Sequence, residues 1–222
     1  MAHATFSAIQ TSSVKAVLFD YGQVLTLTPD PQAWLMMQRT LGITASQLDV
    51  AYWAPRTDYD RGTLSGADYW HAVAKLCERV LSSADLAALI AADTSLWTRP
   101  NLPMMDWAQK LLVSDVPVGV LSNLGDQMML GVLKAFPWLA QLPCVVWSHT
   151  LHMVKPEPEI YRYAAQQFNL PADTILFVDD RAENVAGAQA VGMRAIHYTD
   201  WSAFKEELKA YRIESMRSEP TE

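Results

Sequence analysis

Cysteine is nearly absent from these 222 residues. Cys77 and Cys144 lie far apart, and neither stands in a CxxC or Cys/His spacing. That excludes a disulfide framework and a thiolate-held metal, and leaves two buried or idle thiols. Positive charge is also scarce. Lys and Arg total 17 against 24 acids, a net charge of -7 with a pI near 5.2, so no broad positive field awaits a nucleic acid or an anionic membrane. A substrate phosphate has to be held locally, by a few placed cations or backbone amides. No stretch offers the ~20 consecutive apolar residues that span a bilayer, and the start "MAHATFSAIQTSSV" has no basic cluster. The expectation is a soluble, cytoplasmic protein with no nucleic-acid or membrane partner. Repeats and low-complexity segments are lacking too, and residues 1–13 and 212–222 read as flexible tails.

What is present is ordinary globular composition, 50% hydrophobic and 18% charged. Short apolar runs recur: "KAVLFD" at 15–20, "PVGVLSN" at 117–123, "CVVW" at 144–147, "TILFVDD" at 174–180 and "RAIHY" at 194–198. Helical stretches separate them, including "MMDWAQKLLV", "PEIYRYAAQQFN" and "ENVAGAQAVG", the last closing at Gly192. Continuous apolar strands alternating with helices indicate a doubly wound parallel sheet covered on both faces, an α/β fold of Rossmann-like type. The gap between the first and second runs is too long for the ~30 residues of a simple βαβ unit. Its excess is helical in pattern, with Thr63 and Ser82 or Ser83 as caps, and reads as an inserted helical cap domain. The expected division is a discontinuous core, 14–29 and 100–200, with a cap at 30–99.

Ligands of open α/β sheets bind beyond the carboxyl ends of the strands. Asp20, Ser122 and the pair Asp179–Asp180 each end or follow an apolar run, and Lys155 sits in the turn after the third run. These residues are expected to converge. Carboxylates drawn together raise one another's pKa, and a hard divalent cation, most simply Mg²⁺, resolves the conflict. With a lysine and a serine hydroxyl beside them, the set suits phosphoryl transfer through an aspartyl-phosphate.

The ordered set "FDYGQVLT", "VLSN", "VKPEPEIY" and "ILFVDDRAENVAGAQAVGM" resembles the haloacid dehalogenase superfamily. The resemblance implies a Rossmann-like core with a helical cap between the first two motifs. It implies that Asp20 is the nucleophile, that Ser122, Asn123 and Lys155 complete the catalytic set, and that Mg²⁺ is held by Asp20, the Gly22 carbonyl, Asp180 and, less centrally, Asp179. Asn184 stands where many relatives carry a further aspartate, and is expected to hydrogen-bond behind the ligands.

Gly22 departs from the Asp-x-Asp of most phosphatases of the family, whose second aspartate protonates the leaving group. The Asp-x-Gly-x-Val pattern with a "YDRGTLSGADYW" cap segment is similar to a subgroup that includes α-glucose-1-phosphatase and the N-terminal domain of bifunctional epoxide hydrolases. The resulting expectation is a Mg²⁺-dependent phosphatase of a small phosphorylated metabolite, such as a sugar phosphate. Two alternatives stand beside it: a phosphate- or metal-binding regulatory protein, and a 2-haloacid dehalogenase, a reaction whose enzymes carry serine and asparagine where this chain has "VDD". Arg56 and Arg61 are the cap cations able to meet an anion, and Trp53, Tyr59, Tyr69, Trp70 and Trp97 are either core or ligand platform. His149 and His152 flank the rim as candidates to replace the missing acid, against a reading of both as packing or solvated residues.

Overall fold

The computed structural model describes residues 12–214, so the parts of the two expected tails at 1–11 and 215–222 lie outside the described residues. Seven strands are described: β1 (Ser12–Val14), β2 (Ala16–Phe19), β3 (Val118–Ser122), β4 (Cys144–Trp147), β5 (Ile175–Asp179), β6 (Arg194–His197) and β7 (Tyr211–Ile213). Five of them form one parallel sheet in the order β4-β3-β2-β5-β6. The chain runs outward from β2 through β3 to β4, then returns to the other side for β5 and β6. The strand order therefore reverses at β2, and Asp20 stands at the carboxyl end of that central strand.

Alternate residues of each strand feed opposite faces. Val17, Phe19, Val118, Val120, Leu176 and Val178 belong to one buried cluster, while Ala16, Leu18, Leu121, Ile175 and Phe177 belong to the other. Every residue of β2, β3 and β5 is buried, which is why these runs are continuously apolar.

The helices between β2 and β3 are α1 (Pro31–Leu41), α2 (Ala45–Trp53), α3 (Arg56–Arg61), α4 (Gly66–Leu76), α5 (Ser83–Leu96) and α6 (Leu102–Val113). Beyond β3 come α7 (Asp126–Ala135), the short α8 (Ser148–Leu151), α9 (Pro158–Phe168), α10 (Ala182–Ala190) and α11 (Trp201–Leu208). Helix α10 stops where Gly192 takes a φ of 90°. Ser82 caps α5, but α4 is capped by Ser65 and not by Thr63. Asp68 sits three residues after Ser65 and closes a capping box, whereas the Thr63 hydroxyl turns back to the Asp58 carbonyl at 2.9 Å.

Two chain crossings join α1–α5 to the sheet, and they run side by side. Thr26 bridges Pro100, Leu27 N donates to Arg99 O at 2.8 Å, and Asn101 donates from Nδ2 to Val24 O at 2.8 Å. The two ends of the described chain also pair, β1 with β7 in parallel register from Ser12 to Tyr211. Residues 12–13 and 212–213, expected to fray, are therefore strands. Each is too short to leave a periodic signal, and its pairing partner lies near the opposite end of the chain. Among the described residues, no helix is long and apolar enough to cross a membrane.

Candidate active site

The loop after β2 builds the floor of the site. Asp20 N donates to Val178 O at 2.8 Å, tying it to β5, and the Asp20 carboxylate takes the Tyr21 amide at 2.7 Å. The chain then makes a wide turn, Tyr21–Leu25, closed by Thr26 N on Tyr21 O at 3.1 Å. Within it Gln23 adopts a φ of 58°, and its side-chain amide donates to Asp180 Oδ2 at 2.7 Å.

Lys155 is the hub. Its ammonium lies 2.7 Å from Asp20 Oδ1 and 2.6 Å from Asp179 Oδ2, with its side chain 1% exposed and that of Asp179 0%. The Phe177 ring lies beneath it, 5.5 Å from Nζ. Asn123 anchors the loop that carries it, giving Nδ2 to Lys155 O at 3.0 Å and taking Lys155 N on Oδ1 at 2.8 Å. Both ends of the Asn123 amide are thus engaged with main chain, which makes it a loop clamp beside the cavity.

Asp179 is equally occupied. Besides Lys155 it accepts Arg181 N at 2.8 Å and Asn184 Nδ2 at 3.0 and 3.1 Å. Asp180 is half-buried and faces the cavity, and among the described residues Gln23 is its one side-chain hydrogen-bond partner. Asp20, Asp179 and Asp180 nevertheless offer oxygens within 4.8 Å of one another, a grouping able to hold a metal ion.

The electrostatics carry a surplus of negative charge. Burial pushes the Asp20 carboxyl up to about 7; Lys155 opposes the rise, while the Asp179 and Asp180 charges add to it. Burial and then Asp179 also raise Asp180, against the pull of Lys155. For Lys155, burial works against the charge, but Asp179 and Asp20 outweigh it and hold the ammonium above its ordinary range.

A cavity of about 740 Å³ opens above this floor, between the sheet and the helical insertion. Asp20, Gly22, Ser122, Asn123, Lys155, Asp180 and Asn184 all line it. Asp179 lies just behind, fully buried. Ser122 is 4% exposed, and its hydroxyl makes no hydrogen bond among the described residues. A Cβ at Gly22 would meet only the Trp97 ring, at 3.5 Å, and the backbone there has an ordinary φ of -66°, so glycine is not required for space or conformation.

The insertion supplies the roof. Trp53 and Trp97 line the cavity, whereas Tyr59, Tyr69 and Trp70 are core aromatics. Arg56 is buried: Nε donates to Asp60 Oδ1 at 2.9 Å, Nη1 to the Tyr52 hydroxyl and to Asp93 Oδ1, and the rings of Tyr52, Tyr59 and Tyr69 surround it at 5.1, 5.5 and 5.8 Å. Arg61 pairs with Glu157 of the core. The docking is close: a Cβ on Gly125 would fall 2.0 Å from the Tyr59 ring. Neither His149 nor His152 lines the cavity. Their Nδ1 atoms sit on the carbonyls of Leu124 and Arg61, at 2.9 and 3.1 Å.

Gln23 and Asp60 also line the cavity, and sequence reasoning misses both. Gln23 leaves no signal, since nothing local shows its reach across 157 positions. The i,i+4 spacing of Arg56 and Asp60 is the available clue to the second.

A family model described as haloacid dehalogenase-like hydrolase matches residues 103–198. Over that stretch, somewhat less than half of its length, the chain is similar to haloacid dehalogenase-like hydrolases. Among curated relatives, a sesquiterpene phosphatase of Aspergillus oryzae is 28% identical over 89% of this chain and 96% of its own length. An (S)-2-haloacid dehalogenase of a Pseudomonas species is 23% identical over 82% of this chain and 83% of its own. Of the solved structures, a HAD family enzyme of Bacteroides thetaiotaomicron, crystallised with magnesium and inorganic phosphate, superposes with a TM-score of 0.72. It is 22% identical, over 86% of this chain and 99% of that one, a likeness of fold. Proteins with both phosphatase and dehalogenase names are thus similar to this chain.

Proposed function

We propose that the protein is a magnesium-dependent phosphatase of small phosphorylated metabolites in which Asp20 is the nucleophile. The observation that carries this reading is the state of the Asp20 carboxylate. Oδ1 is fixed by the Tyr21 amide and Lys155, and Oδ2 accepts no hydrogen bond among the described residues on the floor of the cavity. A carboxylate held this way is positioned to attack phosphorus.

The acids fit a hard divalent cation, because three oxygens lie within 4.8 Å and two of the carboxyls are raised by burial and by the charge of neighbouring acids. Asp20, Asp180 and the Gly22 carbonyl would hold it, with Asp179 behind them. When bound, magnesium offsets phosphoryl charge and brings Asp20 to its ionised form. Lys155 places a point charge beside the transferring group, and the uncommitted Ser122 hydroxyl donates to a phosphoryl oxygen. Asn123 and Asn184 act through others, holding the Lys155 loop and Asp179. The roof limits water and selects the substrate. The phosphatase name of the Aspergillus relative and the magnesium and phosphate of the Bacteroides structure agree with this reading.

Dehalogenase chemistry is disfavoured by the same geometry, since Asp20, Asp179 and Asp180 form a grouping able to hold a metal ion, for which that reaction has no use. The test is phosphate release from aryl, anomeric and alkyl phosphates, in Mg²⁺ and in EDTA, with 2-haloacids as the control. Metal-dependent release from esters is the expected outcome; halide release, or metal binding without any turnover, would overturn it.

A further inference from the structure

We propose that Asp60, carried by the helical insertion, is the acid that protonates the leaving oxygen and then takes the proton of the attacking water, the work left without a side chain at Gly22. This role rests on the phosphatase reading above.

Among the described residues, four acids line the cavity: Asp20, Asp60, Asp180 and Glu183. Asp20 is the nucleophile, Asp180 is held by Gln23 beside Asp179, and Glu183 is half-exposed at the rim in a pair with Arg181. Of these four, Asp60 is the one carried by the roof, on α3, the side on which a leaving group departs when Asp20 attacks from below.

Its fixing is unusual for a surface helix. The Ser148 hydroxyl donates to the Asp60 carbonyl and takes the amide of Leu124 at 2.9 Å, so one serine ties Asp60 to the loop that follows Ser122. Oδ1 of the carboxylate accepts from Arg56 Nε, while Oδ2 accepts no hydrogen bond among the described residues. Arg56 is itself held by Tyr52 and Asp93. The geometry leaves one oxygen of a clamped, buried carboxyl uncommitted in a residue that lines the cavity.

The charges around it suit a proton carrier. Burial pushes Asp60 up to about 6, Arg56 opposes this by charge and hydrogen bond, Asp93 on α5 adds to the rise, and Lys155 lowers it. His149, on the adjoining α8, turns to the Leu124 carbonyl. Both protonation states are therefore accessible near neutrality, as a group that gives and then takes a proton requires.

The two steps balance. An Asp20 oxygen forms a bond to phosphorus as the ester P–O bond breaks, and the leaving oxygen takes the Asp60 proton. Water oxygen then bonds to phosphorus, its proton passes to the Asp60 carboxylate, and the Asp20–phosphorus bond breaks to release phosphate and restore both acids.

The experiment compares wild type, Asp60→Asn, Gly22→Asp and the double variant on p-nitrophenyl phosphate and on a simple alkyl phosphate in Mg²⁺. Asn keeps the acceptor for Arg56, and a thermal melt checks folding. Asp60→Asn is expected to lose about 10² to 10⁴ in kcat/KM on the alkyl ester and far less on the aryl ester, whose leaving group needs no proton. The double variant should regain alkyl turnover, because Gly22 lines the same cavity and a side chain there has room beside the Trp97 ring. Equal losses on both esters, no loss on either, or no regain while Gly22→Asp alone is active would overturn the role. If Asp60→Asn melts early, Asp60→Glu replaces it and should retain alkyl turnover; its loss on both esters alike would count against the proposal. A wild type that releases phosphate from neither ester overturns the phosphatase reading itself, and this role with it.

Discussion

Lys155 and Asp179 meet at 2.6 Å where neither side chain is more than 1% exposed. Such a pair is a commitment more than a source of stability, because breaking it leaves a charge in a place water does not reach. Removing one partner of a buried pair costs about 3–5 kcal/mol. Lys155→Met is therefore expected to lower the stability of the metal-free protein by that order and to abolish phosphate release. Chemical denaturation in EDTA reads the first effect. Added Mg²⁺ should recover part of the stability without recovering activity, since it supplies charge but not the contact with the phosphoryl oxygens proposed for the lysine.

The raised Asp20 carboxyl makes stability depend on pH. Its ordinary value of 3.8 rises to about 7 in the fold, so the folded protein holds more protons than the unfolded chain between those limits. Unfolding free energy must then fall as pH rises through that window, and Asp60, at about 6, adds to the fall. A tenfold difference in proton affinity between folded and unfolded chain is worth on the order of 1.4 kcal/mol. Metal-free wild type should therefore be most stable near the acid end of the window, at about pH 4 to 5, and lose several kcal/mol by about pH 8. Asp20→Asn should flatten the upper part of that fall, just below neutrality. A melting series in EDTA checks this, and a wild-type profile rising across the window would contradict it.

Gln23 acts on Asp180 and not on the fold. Its amide is the side-chain partner that orients that carboxylate, across 2.7 Å. Partners behind metal ligands are commonly worth about 10–100-fold in affinity. Gln23→Ala should weaken Mg²⁺ binding within that range by calorimetry while the melting temperature in EDTA changes little.

Which parts of the molecule are legible in the sequence follows from how far each interaction reaches. The runs ending at Phe19, Ser122, Trp147 and Asp179 are buried on both faces, and so they read as strands from their composition alone. Strand-end geometry then places Asp20, Ser122, Lys155 and Asp180 around one cavity. Asp179 is harder to read, since only the structure shows its oxygens taken up by Lys155, Arg181 and Asn184. Gln23, Asp60 and the pairing of β1 with β7 depend on contacts between distant segments, for which no local pattern exists. The α4 cap falls at Ser65 instead of Thr63 because both residue types are eligible, and only Asp68 decides between them.

Arg56 holds the roof together through Asp60, Asp93 and three rings. Arg56→Met would strand two buried carboxylates, and a stability loss of about 3–5 kcal/mol is expected. Thermal melting reads this loss directly. Adding Asp93→Asn to Arg56→Met should recover part of it, because one stranded charge is removed.

The most direct measurement follows the phosphoryl group itself. Wild type and Asp20→Asn are mixed with an aryl phosphate in Mg²⁺, quenched in acid within milliseconds, and their peptides weighed. A phosphoryl group on the Asp20 peptide of the wild type, absent from Asp20→Asn and discharged by hydroxylamine, is the expected result. Turnover that leaves no phosphoryl group on Asp20 at any quench time, or that survives Asp20→Asn, would contradict a nucleophilic Asp20.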